Sequence, residues 1–401
     1  YGQRAIDIVR NNPYRLIQDI VGISFKSADR IAQNIGIDSR SMIRARAGIS
    51  FTLSEAALSG HCCLQRDDLV KKAVTLLDIP ADIINEAIDA ELKVGNIIED
   101  HYPVLNSIFP SHFYRAECAV ARNLTNLCRG DPPWPDIDPI GAIDLAENSL
   151  GFELAESQKE AVTTAITSKV TVITGGPGVG KTTLVKSILS VLQTADISIE
   201  LCAPTGRAAK RLSETSGYPA QTIHRLLGVD RETMDFVHNE ENPLSCDLLI
   251  VDECSMMDLS LANSLIKAIP SHAAVIFVGD VDQLPSVGPG SFLSDLINSN
   301  AVPVIRLTEI FRQSASSWIV RVAHQINRGE MPTFPRSGEN GDCIFIKAEQ
   351  PETIADTVVE LASKRLPDFL DVDPKKAIQV LSPRHQTETG VIAFNARFQQ
   401  L

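Results

Sequence analysis

The spacing of apolar residues changes along the chain. In the first 130 residues, apolar positions recur at helical intervals, and turns separate short helices in 4–35 from longer ones at 39–60, 66–78 and 81–94. Residues 96–105 alternate between apolar and polar, which predicts a short hairpin like that of a winged-helix unit. The pattern therefore predicts an all-helical N-terminal region with a possible winged-helix-like unit.

From residue 170 onward, short runs rich in Val and Ile alternate with helix-like stretches. In Thr182–Leu192, the residues Leu184, Ile188, Leu189 and Leu192 share one helical face. This alternation predicts an α/β domain in which helices cover both faces of a parallel sheet. The predicted strands are Val170–Thr174, Ile199–Ala203, Leu248–Val251, Ala274–Val278 and Val304–Leu307.

Four prolines between Asp131 and Pro139 interrupt helix and strand alike. We therefore expect an N-terminal region at 1–130, a linker at 131–150 and an α/β domain at 151–335. A further α/β unit is expected at 336–401. Its predicted elements are a helix at 351–365 and the strands Cys343–Lys347 and Ile378–Leu381.

Composition narrows the class of protein. Of the 401 residues, 44% are apolar and 22% are charged, as in ordinary globular proteins. No apolar run approaches the about 20 residues that span a membrane. The eight cysteines form no C-x-x-C pair, and we expect reduced thiols in a cytoplasmic protein. No signal-peptide pattern opens the chain, and because its first residue is Tyr1 rather than Met, we expect residues upstream of it.

The net charge of -13 argues weakly against nucleic-acid binding. Binding, however, uses local fields rather than the average charge. Basic side chains concentrate in residues 1–50 and again at Arg207, Lys210 and Arg211. Contact with DNA is therefore expected to be confined to grooves.

A complete phosphate-binding motif follows the first predicted strand and opens a helix. Its glycines let backbone N–H groups surround phosphates, and the helix N-terminus favours the negative charge. We expect ATP and Mg²⁺ here, with Lys181 on the β and γ phosphates and the Thr182 hydroxyl on Mg²⁺. A Gly-rich turn without function is the alternative, which the strand and helix on either side disfavour. The motif comprises Gly175, Gly176, Pro177, Gly178, Val179, Gly180, Lys181 and Thr182.

Polar residues also follow two later strands. Asp252 and Glu253 end one strand, and we expect Asp252 to bind Mg²⁺ through water and Glu253 to orient the attacking water. Gln283 follows the next and can sense the γ-phosphate. Arg312 can supply a positive charge in the transition state. Taken alone, the carboxylates could be a solvated loop pair and Arg312 a surface residue.

In this order, the motif blocks resemble those of superfamily 1 helicases, most closely the RecD-like, 5′-to-3′ branch. The N-terminal segments Asn12–Leu16 and Gly22–Ala32 resemble the helix-hairpin-helix region of the long, free-standing RecD-like proteins. The motor blocks are Gly175–Thr182, Ala203–Ala209, Thr222–Leu227, Val251–Met257, Gly279–Pro285 and Phe311–Gln313.

The resemblance implies a RecA-like motor domain, the start of a second one, and further site residues. Gln158 matches the glutamine that reads adenine, and Thr183 completes the nucleotide contacts. His224 taken alone could equally be a packed core histidine. Residues 229–243 match a small hairpin that splits the duplex, and residues 382–395 match a DNA-contacting element. The residues matching single-strand contacts are Pro204, Thr205, Gly206, Arg207, Thr222 and His224.

Two departures from the family pattern stand out. Ser24 occupies a hairpin position that is usually Gly, and this leaves DNA contact and a purely structural role equally open. The late His-Lys-Ser-Gln-Gly block and the Arg-bearing block after it do not occur in the 401 residues. The resemblance therefore implies that this piece binds ATP but unwinds DNA poorly.

The expected activity is a DNA-dependent ATPase and helicase in repair or recombination, acting on single-stranded DNA and the duplex junction. A superfamily 1 motor on RNA is one alternative. Another is a nucleotide-gated DNA-binding subunit of a larger recombination complex. A nuclease is disfavoured because the acidic residues outside the ATPase motifs show no metal-ligand pattern.

Overall fold

The computed structural model describes residues 5–20, 22–101, 106–230, 232–233, 235–309, 317–335 and 341–401. The chain divides into two compact units, residues 1–316 and 317–401. The finer boundaries at 130, 150 and 335 stay predictions. In the described ranges, every helix is too short or too polar to cross a membrane.

The N-terminal region is mainly helical but contains a small antiparallel sheet. Strands β1 (Leu64–Gln65) and β2 (Ile97–Asp100) both pair with β3 (Ser107–Pro110). The predicted hairpin is therefore present, although its second strand begins beyond 105, and the region is not all-helical. The helices are α1 (Ala5–Asn11), α2 (Arg15–Asp19), α3 (Phe25–Asn34), α4 (Met42–Leu58), α5 (Arg66–Leu77), α6 (Ala81–Val94) and α7 (Ser111–Leu127).

The hairpin between α2 and α3 accommodates Ser24 without strain. Gly22 takes the positive φ of +95°, whereas Ser24 is extended at φ -81°. The Ser24 hydroxyl accepts a 3.3 Å hydrogen bond from the backbone N–H of Ser27 and so caps α3. A serine at position 24 carries no backbone penalty, because the residue with positive φ is Gly22, two positions earlier.

A six-stranded parallel sheet forms the centre of the α/β domain, with strand order β6-β5-β7-β8-β4-β9. All five strands expected from the apolar runs are confirmed. The strands are β4 (Val170–Gly175), β5 (Ile199–Ala203), β6 (Ala220–Thr222), β7 (Leu248–Val251), β8 (Ala274–Gly279) and β9 (Val304–Leu307). The flanking helices are α8 (Pro139–Leu150), α9 (Glu156–Thr167), α10 (Lys181–Leu192), α11 (Gly206–Ser216), α12 (Ile223–Leu227), α13 (Leu259–Ala268) and α14 (Phe292–Asn298).

Alternate residues of the strands enter two separate cores. On β7, Leu249 and Val251 pack with α13 and α14, whereas Leu248 and Ile250 pack on the opposite face with α9 and α10. Leu124 of α7 joins the first core, so the N-terminal region packs against the six-stranded sheet. Both faces of the sheet are covered, as the near-continuous apolar strands require.

The predicted linker does not remain extended throughout. Asp138 caps α8 by accepting a 2.9 Å bond from the N–H of Gly141, and Pro139 opens the helix. Trp134 is buried and donates its indole N–H to the carbonyl of Ile166 at 2.8 Å. The proline-rich segment thus packs against the domain through Trp134 and leads directly into α8.

The second unit is helical in its described residues. The helix expected at 351–365 is confirmed as Pro351–Glu360, continued by a π-helical turn at Leu361–Arg365. The strands expected at Cys343–Lys347 and Ile378–Leu381 are wrong, because neither segment pairs with a strand in the described residues. Apolar spacing reports side chains, but a strand also requires a neighbour for its backbone. The other helices are Trp318–Asn327, Leu366–Leu370, Pro374–Ala377 and Val391–Gln399.

Candidate nucleotide and nucleic-acid site

The phosphate-binding motif occupies the turn between β4 and α10. Gly178 and Gly180 adopt φ of +79° and +80°, which residues with a Cβ rarely adopt. Gly180 is the N-cap of α10, and Lys181, Thr182 and Thr183 form the first helical turn. The turn therefore presents backbone N–H groups and the positive end of a 12-residue helix to the same space.

The Lys181 ammonium lies between the turn and a neighbouring strand. Its Nζ donates to the carbonyls of Gly175 at 2.5 Å and Gly176 at 3.1 Å. The Oδ2 atom of Asp280 lies 3.9 Å from the same nitrogen. The positive charge is thus fixed at the mouth of the loop, where a phosphate chain would enter.

Asp252 and Glu253 lie at the carboxyl end of β7. The Asp252 N–H donates to Cys202 on β5 at 2.9 Å, and the Glu253 N–H donates to Asp252 Oδ1 at 2.8 Å. Glu253 has a left-handed φ of +54°, which ends the alternation of the strand. This backbone turn explains how two consecutive carboxylates can serve one site.

The surroundings of this pair favour a ligand. Burial raises the pKa of Asp252 to about 6, and the Glu253 charge adds to the rise while the Glu253 N–H and Lys181 oppose it. The Oε2 atom of Glu253 is buried and accepts no hydrogen bond in the described part of the chain. A buried carboxylate oxygen without a partner is costly unless water or a cation satisfies it.

Asp280 lies within the Gly279–Pro285 motif but is not among the site residues predicted from the sequence. Its side chain is buried, and its Oδ2 accepts from the Gln283 amide at 3.2 Å while facing Lys181. Gln283 itself is exposed. The position of Asp280 directly after β8, on the strand between β7 and β4, could have identified it.

Gln158 connects α9 to the phosphate-binding turn. It is buried, its Oε1 accepts from the Ala155 N–H at 3.1 Å, and its Nε2 donates to the Val179 carbonyl at 3.4 Å. The neighbouring Ser157 hydroxyl hydrogen-bonds the carboxylate of Glu309. That hydrogen bond is the main reason the pKa of Glu309 is lowered. Arg312 and the rest of 310–316 lie outside the described residues.

The predicted single-strand DNA contacts follow the carboxyl ends of β5 and β6, further along the same edge of the sheet. Ala203 pairs in register with Thr222, so the ends of β5 and β6 are adjacent. Thr205 caps α11 through the Ala208 N–H, and Thr222 caps α12 through the Arg225 N–H. The structure thereby brings together Pro204, Thr205, Gly206, Arg207, Thr222 and His224.

His224 is not a core histidine. Its side chain is exposed, and its ring lies 5.7 Å from that of Phe236. Phe236 pairs with Val229 in an isolated antiparallel bridge. The segment expected at 229–243 is therefore hairpin-like at its base, and it packs beside the predicted strand contacts.

Comparisons with known proteins cover most of these features. A family model described as "ATP-dependent RecD2 DNA helicase HHH domain" matches residues 1–63, and one described as "AAA domain" matches residues 158–289. The ATP-dependent RecD2 DNA helicase of Deinococcus radiodurans is 32% identical over 414 residues, covering 100% of this chain and 55% of the relative.

The RecBCD enzyme subunit RecD of Haemophilus influenzae is 41% identical over an alignment of 168 residues that covers 36% of this chain and 26% of the relative. The crystal structure of Pif1 helicase from Candida albicans aligns with a TM-score of 0.35 and 24% identity, over 45% of each chain. The chain spans about half the length, 55%, of the RecD2 relative.

Proposed function

Because the chain belongs to the RecD-like branch of superfamily 1 helicases, we propose that it is an ATP-dependent DNA motor. In this proposal it couples ATP hydrolysis to 5′-to-3′ movement on single-stranded DNA in repair or recombination, and it works in the cytoplasm. The observation that carries the proposal is the meeting of Lys181, the Asp252–Glu253 pair and the Asp280–Gln283 pair at the ends of neighbouring strands.

The phosphate-binding turn would hold the nucleotide. Backbone N–H groups of the turn, which Pro177 lacks, and of the first turn of α10 would surround the phosphates, and Lys181 would neutralise the β and γ groups. Gln158, already fixed against Val179, is placed to extend recognition to the base. Thr183 completes the contacts in the first helical turn.

The residues beside the turn fit Mg²⁺. Thr182 offers a hydroxyl and Asp252 a carboxylate, the hard oxygen ligands that Mg²⁺ prefers. When bound, the ion neutralises negative charge on the phosphates. Glu253, with its unsatisfied Oε2, would orient the attacking water, and Gln283 would register the γ-phosphate. The assignment of Arg312 to transition-state stabilisation stays a prediction from the sequence.

The residues at the carboxyl ends of β5 and β6 would bind the DNA strand. Helix-capping hydroxyls and the exposed Arg207 are suited to phosphates, and His224 can stack or hydrogen-bond. The hairpin-like segment at 229–243 packs beside His224 and is suited to meet the duplex junction. Nucleotide binding and DNA binding would thus use neighbouring parts of the carboxyl edge of one parallel sheet.

ATP hydrolysis tests the proposal. Turnover is measured without nucleic acid, with single-stranded DNA, and with RNA of the same sequence. Stimulation by DNA and not by RNA is expected, and Arg207→Ala should reduce the stimulation. Equal stimulation by RNA would support an RNA motor, and a lack of nucleotide binding would refute the proposal.

A second candidate is a nucleotide-gated subunit of a recombination complex. It is favoured by the similarity to RecD subunits of RecBCD enzymes. Gel filtration with and without candidate partner subunits separates the two: a free-standing motor elutes unchanged, whereas a complex subunit shifts to larger size.

A further inference from the structure

A cleft of about 490 Å³ lies in the N-terminal region, away from the nucleotide site. The α2–α3 hairpin forms one wall, and α4 forms the other, with Asn96 and Glu91 at one end. A cleft of this size falls within the range of small-ligand sites. It shares no residue with the phosphate-binding turn or with the predicted strand contacts.

A stack of three aromatic rings ends in this cleft. Tyr14 stacks on Phe25 with centroids 5.7 Å apart, and Phe25 stacks on Phe51 at 5.0 Å, with interplanar angles of 20° and 21°. Tyr14 and Phe25 are buried, whereas Phe51 is only half-buried. Phe51 is the more accessible end of the stack, and a planar group laid on its outer face would continue the stack.

Two arginines, Arg15 and Arg46, line the same cleft. The Arg46 Nε binds Glu91, whose other oxygen accepts from Asn96 at 2.9 Å, so this buried carboxylate is neutralised. The Nη atoms of Arg46 make no hydrogen bond within the described ranges. Arg15 is half-exposed and lies 3.7 Å from Asp19, a loose pair on the surface. Both guanidinium groups can therefore accept a further anion.

We propose that this cleft binds one unpaired nucleotide, with its base on Phe51 and its phosphate between Arg15 and Arg46. The hydroxyls of Ser24 and Ser50, which also line the cleft, would bind the sugar or base edges. An aromatic face beside guanidinium groups is the combination that recognises unpaired nucleotides. The inference that the nucleotide belongs to single-stranded DNA rests on the proposed function. The inference that the cleft binds a nucleotide rests on the aromatic ring and the guanidinium groups alone.

Photo-crosslinking of the full chain tests the location. The probe is a short single strand of thymidines carrying 5-iododeoxyuridine, and crosslinked peptides are identified by mass spectrometry. A crosslink at Phe51 that excess oligothymidylate removes and thymidine monophosphate does not remove indicates a DNA strand. Equal competition by the monophosphate indicates a free nucleotide in the same site. If the probe still stimulates ATP hydrolysis but forms no crosslink at Phe51, the proposed nucleotide site in the cleft is wrong, whereas the proposed function is unaffected.

Variants test the contacts in an Arg207→Ala background, where DNA binding at the ends of β5 and β6 is expected to be weakened. Phe51→Leu should weaken oligothymidylate binding about tenfold, and Phe51→Trp should restore it, since stacking on an aromatic ring contributes most of the effect. Arg15→Gln should weaken binding, whereas Arg40→Gln, an exposed arginine outside the cleft, should not.

Fluorescence anisotropy gives the affinities, and thermal unfolding shows which variants keep the fold. Phe109→Leu is the matched aromatic control, because Phe109 does not line the cleft. A folded Phe51→Leu variant that binds as tightly as its parent overturns the proposal. Equal weakening by Phe109→Leu would also overturn it, because the effect would then come from the fold rather than from the cleft.

Discussion

Carboxylates at the site behave differently because their immediate neighbours differ. Asp280 is buried but faces the Lys181 ammonium and the Gln283 amide. Asp252 is partly buried beside another carboxylate, and burial raises its pKa to about 6. Glu253 keeps one buried oxygen without a partner in the described residues. The three carboxylates therefore differ in burial, in hydrogen-bond partners and in nearby charge, although they carry the same chemical group.

Replacing Lys181 by Ala should nearly abolish ATP turnover. The ammonium is the positive charge fixed at the loop mouth, and losing one such stabilising group typically costs about 100-fold or more in rate. Steady-state ATP hydrolysis measures the effect. Lys71→Ala removes an exposed lysine from α5 and should retain parental turnover. A Lys181→Ala variant with more than about a tenth of parental turnover contradicts the assigned role.

Replacing Asp280 by Asn should lower kcat more than it raises the KM for ATP. The substitution keeps the shape but removes the negative charge that orients Lys181 and the Gln283 amide. Asp282→Asn is the matched control, since Asp282 is exposed two residues further along. Steady-state kinetics of both variants separate the effects, and equal losses in the two would refute a specific role for Asp280.

Asp29→Asn should destabilise the N-terminal region by about 3–5 kcal/mol near neutral pH, because the buried Arg44 guanidinium would lose its counter-charge. Burial alone would raise the pKa of Asp29, but hydrogen bonds from Arg44 and Tyr14 hold it below its ordinary value of 3.8. A lowered pKa stabilises the fold above the unfolded value and loses that contribution as pH falls through the folded one.

The destabilisation by Asp29→Asn should therefore shrink below about pH 4. Hydrogen exchange of the α3 and α4 amides, compared between parent and variant, measures it. A difference that stays constant from neutral to acid pH would show that the ion pair is not its source.

At the level of elements, close helix contacts shape the N-terminal region. A Cβ placed on Gly48 of α4 would lie 2.4 Å from Cδ1 of Leu77, at the end of α5. Leu77 also accepts a 2.8 Å hydrogen bond from Arg44 through its carbonyl. The glycine therefore sets the distance between the two helices.

Gly48→Ala should lower the stability of the chain by about 1–3 kcal/mol, since the added methyl overpacks a buried contact. The matched control is Gly206→Ala in α11, where nothing lies within 4 Å of the added carbon. Thermal unfolding of both variants tests this. A neutral Gly48→Ala would mean that Leu77 moves aside at no cost.

The whole molecule carries a net charge of -13, so contact with DNA must depend on local groups. Stimulation of ATP hydrolysis by single-stranded DNA should fall as salt rises, because bound phosphates release counterions. Arg207→Gln should reduce the slope of log affinity against log salt by about 0.7, the value for one phosphate contact on a single strand. Affinities over a salt series measure the slope, with Arg40→Gln as the control, and an unchanged slope would exclude a phosphate contact by Arg207.

Much of the motor domain could be predicted from the sequence because its signals are local. Strands such as Leu248–Val251 are continuous apolar runs. The turn at Gly178 and Gly180 is identified by glycines at positions with positive φ, directly before a helix. The strands expected near residues 343 and 378 failed because strand formation depends on a distant partner. Asp280 was not selected because its importance comes from facing Lys181, which lies on a different element.

By itself, the sequence determined the class of the protein, the order of its motifs and the residue types at the nucleotide site, since these follow from local spacing and composition. Tertiary structure decided which groups meet. Asp280 lies near Lys181, the ends of β5 and β6 bring the predicted DNA contacts together, and the His224 ring lies beside Phe236. It also placed Phe51 at the end of an aromatic stack, in a cleft that two arginines line. These relations join residues that are not neighbours in the chain, and only packing brings them together.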